Sequence, residues 1–187
     1  MLRSSRTTVL IAIASLALGA CAVPPMYSPV GEIGTQARIR VKANDRYAFP
    51  AIVTVKAIDD VEPKEQYLAI FFKGWMGMGA EPKKAELIGM PETTGEDATL
   101  PVLERYITGN RPLRLQLDAR VDGNYICGDA AAFTPTSGHD YELVVPLRGT
   151  SLGFSGACSF ILYEIVPKGN SFERLPLAMT RLADKKK

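Results

Sequence analysis

Leu113-Arg-Leu-Gln-Leu-Asp-Ala-Arg-Val121 is the most informative stretch of this 187-residue chain for its fold class. Apolar residues occupy every second position, and polar or charged residues stand between them. Side chains in a β-strand alternate between the two faces of the sheet, so this pattern is typical of a strand with one face on a core and the other in water. The stretch therefore predicts a half-buried β-strand.

Similar patterns recur on both sides of this strand. Ile39 and Val41 alternate with basic residues, residues 52–57 are mainly β-branched, and residues 141–147 place apolar residues on one face. Residues 67–73 and 158–166 are apolar almost throughout. We expect residues 67–73 to form a central strand that is covered on both faces, and residues 175–182 to contain a last edge strand.

Turn signals separate these strands. Gly109-Asn110 indicates a short hairpin before Leu113, and Lys168-Gly169-Asn170 separates two later strands. No long amphipathic helix is indicated between them. About seven to nine short strands with turns between them predict a single antiparallel β-sandwich. An immunoglobulin-like and a transthyretin-like arrangement both stay open.

The N-terminus has the order of an export signal. Arg3 and Arg6 precede an apolar run from Val9 to Ala20, which is shorter than the roughly 20 residues that span a bilayer. The end of the run, Leu18-Gly19-Ala20-Cys21, resembles the lipobox of bacterial lipoproteins. This resemblance implies that residues 1–20 are a signal peptide and that Cys21 carries acyl chains such as palmitate. An ordinary cleaved signal with a coincidental Cys is the alternative.

The same resemblance predicts the location and the domain plan. Ala22 follows Cys21, which in lipoproteins favours the outer membrane, with the domain on its periplasmic face. Residues 21–36 are rich in Pro, Gly and Ser, so we expect a flexible tether there and the sandwich domain over residues 37–187. The lipid on Cys21 would hold the chain at the membrane, and we expect no other cofactor.

Charge and cysteine content restrict the partners. Removal of residues 1–20 lowers the count of Lys and Arg from 22 to 20, which equals the 20 Asp and Glu, and a neutral chain argues against a nucleic-acid partner. Cys127 and Cys158 would meet in an oxidising compartment, so we expect a disulfide that contributes about 3–4 kcal/mol. Cys127, residues 133–142 and Cys158 together are similar to a segment of small proteobacterial envelope lipoproteins, which implies the same location and bridge.

Two motifs invite a chemical function. Gly149-Thr-Ser151-Leu-Gly153 matches the nucleophile elbow of serine hydrolases, which needs a strand before the Ser and a helix after it. The residues after Ser151 predict another strand instead of a helix, and His139 precedes Ser151, whereas the His of these hydrolases follows the Ser in the chain. We therefore expect no enzyme. A hydrolase that uses Ser151 stays as an alternative. We expect no metal site, because one His and two Cys are too few ligands for a typical zinc site. The thioethers of Met76, Met78 and Met90 are only weak evidence for copper(I).

One loop is a candidate for contact with a partner. Residues 73–80 combine three Gly with Trp75, Met76 and Met78, and Trp is favoured at the centre of protein interfaces. The alternative is that these side chains fold back onto the sandwich. We therefore expect a non-enzymatic, lipid-anchored periplasmic protein that contacts another envelope protein. A small-ligand or cell-wall-binding module, with a groove lined by aromatic residues such as Tyr106 and Tyr125, is the second hypothesis.

Overall fold

A computed structural model describes residues 25–43, 51–59, 64–73, 87–92, 102–121, 124–146, 148–150 and 153–182 of the chain. Within these ranges the chain is all-β, with a short 3-10 turn, Ile33–Thr35, before the first strand. The strands are β1 (Gln36–Ala43), β2 (Ala51–Asp59), β3 (Glu65–Lys73), β4 (Val102–Thr108), β5 (Leu113–Val121), β6 (Asn124–Phe133), β7 (Asp140–Val145), β8 (Arg148–Thr150), β9 (Gly153–Ala157), β10 (Ile161–Lys168), β11 (Ser171–Leu177) and β12 (Thr180–Arg181).

The strands form two sheets that enclose one core, which confirms the predicted β-sandwich. The first sheet has the order β11-β10-β7-β1-β4, and the second has the order β12-β6-β5-β2-β3. Pairing is antiparallel except between β1 and β7, which run parallel. β8 and β9 form a separate two-stranded ribbon.

The core follows the alternation that the sequence shows. In β5, Leu113, Leu115 and Leu117 are at most 1% exposed and face the first sheet, while the residues between them face outward. Apolar residues of β1, β4 and β7 meet them from the first sheet; they include Ile39, Val41, Leu103, Ile107, Tyr141 and Leu143. Burial of these side chains supplies the main stabilising free energy of the domain.

The turn at Gly109 and Asn110 does not form the hairpin that we expected. β4 belongs to the first sheet and β5 to the second, so the turn carries the chain from one sheet to the other. The turn is held there because Gly109 N donates to Thr35 O at 3.1 Å and Asn110 N donates to Pro135 O at 2.6 Å. These bonds tie it to neighbouring turns, whereas a hairpin would bond mainly within itself.

β3 is an edge strand of the second sheet, so the expectation of a central strand at residues 67–73 was wrong. Phe72 is 50% exposed on the outer face. Leu68 and Ala69 are both buried although they are consecutive, because the pairing of β2 with β3 shifts register between Val55 and Lys56. The bulge explains why these two consecutive residues are both apolar and buried.

The segment from Pro25 onward, which was expected to be part of a flexible tether, is fixed on the sandwich. Tyr27 N donates to Tyr67 O and Tyr67 N donates to Pro25 O, both at 2.9 Å, so the segment pairs in parallel with β3. The Tyr27 ring is 6% exposed, and its hydroxyl is 2.9 Å from the Thr108 hydroxyl. Because these bonds order the segment, residues 25–36 belong to the folded domain, and residues 21–24 lie outside the described ranges.

The strand directions define two ends of the sandwich. One end carries the connections 109–112 and 134–139 and the turn 169–170, and we call it the turn end. The opposite end, which we call the far end, carries Lys73, Val121 and Val145, the last residues of β3, β5 and β7.

Candidate functional site

One side of the sandwich is open, where β11 and β12 form the edges of the two sheets. β12 has only two residues, so it covers little of the strand opposite. Leu177 pairs with Leu162, which is 1% exposed in the core, and therefore shares its inward face. Leu177 and Leu175 nevertheless remain 36% and 41% exposed, because the second sheet does not extend over them.

A cavity of about 190 Å³ lies on this open side, and we call it the β11 groove. Its walls come from β6, β10, β11 and the chain that leads into β12. The side chains that line it are mainly apolar, with one acidic and one basic group among them: Asp129, Phe160, Leu162, Leu177, Met179 and Arg181.

Asp129 is the fixed polar group of the β11 groove. Its carboxylate accepts hydrogen bonds from Ala130 N at 2.9 Å and Phe160 N at 3.3 Å, and its side chain is 11% exposed. Arg181 Nη1 lies 3.4 Å from the carboxylate, while the Arg181 side chain is 68% exposed. The groove thus has an anchored acid in its wall and a guanidinium with much of its surface in water.

The expected disulfide is present and crosses the sandwich at the groove. Cys127 lies on β6 of the second sheet, and Cys158 lies just before β10 of the first sheet. Their Cα atoms are 5.6 Å apart, and 31 positions of sequence separate them. The bridge therefore links β6 of the second sheet to the chain that enters β10 of the first sheet, two residues from Asp129 and Phe160 of the groove.

Several exposed apolar side chains lie on the two strands that border the β11 groove, although Phe172, at the turn end, faces the side opposite to Leu175 and Leu177. Of the nine large apolar side chains exposed among the described residues, four lie on β10 and β11: Ile161, Phe172, Leu175 and Leu177. Clusters of exposed apolar side chains on soluble proteins mark contact sites more often than single exposed residues do. β11 is also a free sheet edge among the described strands, and such an edge offers backbone groups to another chain.

A second polar cluster lies on the outer face of the first sheet and is buried. Glu142 is 0% exposed, and its carboxylate lies 3.0 Å from Lys42 Nζ, 2.8 Å from Arg174 Nη1 and 3.5 Å from Arg40 Nη1. Arg40 also donates from Nε and Nη2 to Glu104 Oε1, at 2.9 and 2.7 Å. We call this set the ion network.

The ion network fixes the segment 87–92 over the sheet. Ile88 N and Met90 N donate to Glu104 Oε2 at 2.7 and 3.3 Å, and Arg40 donates to Met90 O at 3.1 Å. Met90 itself is buried, at 6% exposed. Carboxylates and cations of the network bind one another and the backbone, so the network holds the segment 87–92 on the outer face of the first sheet.

Several residues singled out from the sequence lie outside the described ranges. These are Cys21, Trp75, Met76, Met78 and Ser151. The side chain of Tyr125 also lies outside them, while Tyr106 is 41% exposed. Residues 153–157, which follow Ser151, form β9 and pair with β8, so a strand stands where the nucleophile elbow needs a helix.

His139 and Asp140 point to different partners, as alternation in a strand requires. His139 is exposed and its Nδ1 contacts Glu164, whereas Asp140 binds Arg38 through two bonds of 2.6 and 2.7 Å. The imidazole of His139 and the carboxylate of Asp140 are therefore held by different partners. Within the described ranges, no three His, Cys, Asp or Glu side chains are grouped as metal ligands, and no helix is long and apolar enough to cross a membrane.

Comparison of the chain with protein families and with curated proteins gives no match. A solved structure that is similar is that of a candidate cell adhesion protein from Bacteroides fragilis, with 12% sequence identity and a TM-score of 0.28. The match covers 68% of this chain and 44% of that protein, so this chain spans less than half of its length. At this TM-score the likeness supports no statement about the function of this chain.

Sequence reasoning did not find the β11 groove. The expected single edge strand at residues 175–182 is divided between β11 and β12, which lie in different sheets. A signal was available in Leu175-Pro176-Leu177, because Pro within a strand indicates a sheet edge and two Leu beside it indicate an apolar edge. The ion network was also missed, since charged residues that alternate with apolar ones are usually taken to face water.

Proposed function

We propose that this protein is a lipid-anchored β-sandwich on the periplasmic face of the outer membrane, and that it acts without catalysis by binding another envelope protein. The observation that carries the proposal is the exposed apolar edge formed by Leu175 and Leu177 beside the β11 groove. The resemblance of Leu18-Gly19-Ala20-Cys21 to a lipobox supports the anchor, and the disulfide fits an oxidising compartment.

Burial of the β11 edge by a partner would be favourable. A fully buried Leu side chain contributes about 1.5–3 kcal/mol, and Leu175 and Leu177 are each more than a third exposed, so each has about 1 kcal/mol still to gain. The Arg181 guanidinium at the groove would orient a carboxylate or a backbone carbonyl of the partner. Pro176 has no N–H, which limits how many backbone bonds a partner strand would make.

The anchor would make a modest affinity sufficient. Acyl chains on Cys21 would confine the domain near one membrane and raise its effective concentration for a partner there. Trp75, Met76 and Met78 remain a proposed second contact. The chain leaves β3 at Lys73, at the far end of the sandwich.

The size of the groove favours a protein partner over a small ligand. Pockets that enclose drug-sized molecules measure about 300–1,000 Å³, and the β11 groove is about 190 Å³. A side chain from a partner protein fits this volume better than a cell-wall fragment. A serine hydrolase has less support, because β9 occupies the position of the required helix.

Site-specific photo-crosslinking in intact cells tests the proposed contact. A photoreactive residue at Leu175 should give a discrete crosslinked species, and the same residue at Phe72, which is 50% exposed on the opposite edge, should not. Leu175→Glu should reduce co-purification of that species while the melting temperature stays unchanged. Equal crosslinking from both positions, or labelling of Ser151 by a fluorophosphonate, would contradict the proposal.

Trp75→Ala provides a separate test of the second contact. We expect a folded variant with weaker capture of the same partner. A variant that fails to fold would place Trp75 in the core and remove it from the proposed surface.

A further inference from the structure

The chain between the lipid anchor and the sandwich is very short. Residues 22–24 alone separate Cys21 from Pro25, whose carbonyl oxygen accepts a hydrogen bond from Tyr67 N at 2.9 Å. Four extended residues reach at most about 14 Å. Whatever path residues 22–24 take, Cys21 therefore stays within about 14 Å of the point where the chain joins the second sheet.

The direction of the N-terminal segment selects one end of the sandwich. Met26 pairs with Tyr67 in parallel, so the segment runs with β3, from the turn end toward the far end. The described segment, which starts at Pro25, therefore joins β3 close to the turn end, since Tyr67 is the third residue of β3 and lies about 7 Å from its start. Lys73 lies about 20 Å farther along β3 than Tyr67, which is beyond the reach of residues 21–24.

We infer that the turn end of the sandwich rests on the bilayer surface and that phospholipid headgroups are its partner. This inference rests on the proposed acyl anchor at Cys21. Lys64 and Arg111 are both exposed at this end, beside the start of β3 and between β4 and β5. Cations at a membrane surface gain about 1 kcal/mol each from anionic lipids. The exposed carboxylates of Glu32 and Glu65 at the same end offset part of this gain, so the short link to Cys21 is the main argument for the orientation.

This orientation has a consequence for the binding surfaces. The far end, where the chain leaves β3 toward Trp75, points away from the membrane to which the protein is anchored. The β11 groove stands on the flank of the sandwich, on the sheet edges opposite β3 and β4. Both surfaces stay open to a partner while the turn end is occupied by lipid.

Fluorescence quenching in vesicles tests the orientation. The full-length protein is purified with its acyl chains and reconstituted in phosphatidylethanolamine and phosphatidylglycerol vesicles that contain a headgroup nitroxide lipid. Arg111→Cys and Arg120→Cys are each labelled with a fluorophore; both native positions are exposed, one at the turn end and one near the far end of β5. The pairing of Cys127 with Cys158 leaves the introduced thiol as the one to label on the sandwich.

We expect most of the fluorescence to be lost at position 111 and little at position 120. A flexible insertion of about 20 Gly and Ser residues after Val23, with a mean span of about 25 Å, should remove the difference. Equal quenching at both positions of acylated protein, or stronger quenching at position 120, would overturn the orientation alone. Mass spectrometry that finds Cys21 without acyl chains would overturn both the orientation and the proposed anchor.

Discussion

Glu142→Gln is expected to lower the free energy of unfolding by about 3–5 kcal/mol, the usual cost of breaking a buried ion pair. Glu142 is fully buried and lies 3.0 Å from Lys42 Nζ and 2.8 Å from Arg174 Nη1. At an effective dielectric constant of about 20, each such contact is worth about 5 kcal/mol of attraction before desolvation. Gln removes this attraction but leaves Lys42, Arg174 and Arg40 in place around position 142, and the cost of burying their charges is then no longer offset by Glu142.

The measurement is urea unfolding of the non-acylated chain from residue 22, followed by circular dichroism. Glu173→Gln is the matched control, because Glu173 pairs with Lys168 on the surface, where 36% and 70% of the two side chains are exposed. Exposed ion pairs contribute about 0–1 kcal/mol, so the control should change stability little. Both variants replace Glu by Gln, one in a buried ion pair and one in an exposed pair, so the difference between them measures the effect of burial.

A double-mutant cycle makes the test specific to the pairing. Lys42→Met combined with Glu142→Gln should be less destabilising than the sum of the single changes, with a coupling energy of about 1–3 kcal/mol. Additive effects, or a cost of Glu142→Gln no larger than that of the Glu173→Gln control, would refute the assignment of a buried ion network on this sheet.

Three further changes test other parts of the fold. Gly109→Ala should destabilise by about 1–3 kcal/mol, because a Cβ atom there would lie 2.5 Å from a backbone oxygen, while Gly34→Ala, with open space around it, should leave the melting temperature unchanged. Burial raises the pKa of the Tyr27 phenol above its ordinary value. The stability that this shift contributes is fully present below about pH 10 and is lost as the pH rises through the raised pKa. Tyr27→Phe should therefore lose less stability than the native chain in urea titrations between about pH 9 and pH 12. Replacing Cys127 and Cys158 by Ala should cost about 3–4 kcal/mol, and a melting curve that does not change on reduction would contradict this expectation.

The elements of the fold were predictable where a strand has one buried and one polar face. Residues 113–121 are the clearest case, and β5 has these bounds. The assignment of strands to sheets was not predictable in the same way. Gly109-Asn110 has the composition of a hairpin turn, and only its bonds to Thr35 and Pro135, which are distant in sequence, show that it joins two sheets.

Burial of charge was not predictable from local patterns. Arg40 and Lys42 alternate with apolar residues, which is also the pattern of a strand with its polar face in water. They are buried because Glu104 and Glu142 come beside them on β4 and β7. The candidate site was missed because it also depends on how distant strands assemble. The length of β12 decides how far the groove opens, and the sequence from 175 to 182 does not show where β11 ends.

The parallel pairing of β1 with β7 has a consequence for how the chain acquires its structure. The strands beside β1 follow it late in the sequence: Glu104 lies 64 residues after its partner Arg40, and Asp140 lies 102 residues after its partner Arg38. Such a high contact order makes folding slow, because the chain loses the entropy of closing long loops before the paired strands stabilise it. A nascent chain that emerges N-terminus first must therefore carry β1 unpaired until β4 has appeared, and with its other edge open until β7 has appeared. During that interval, protection from aggregation has to come from other factors.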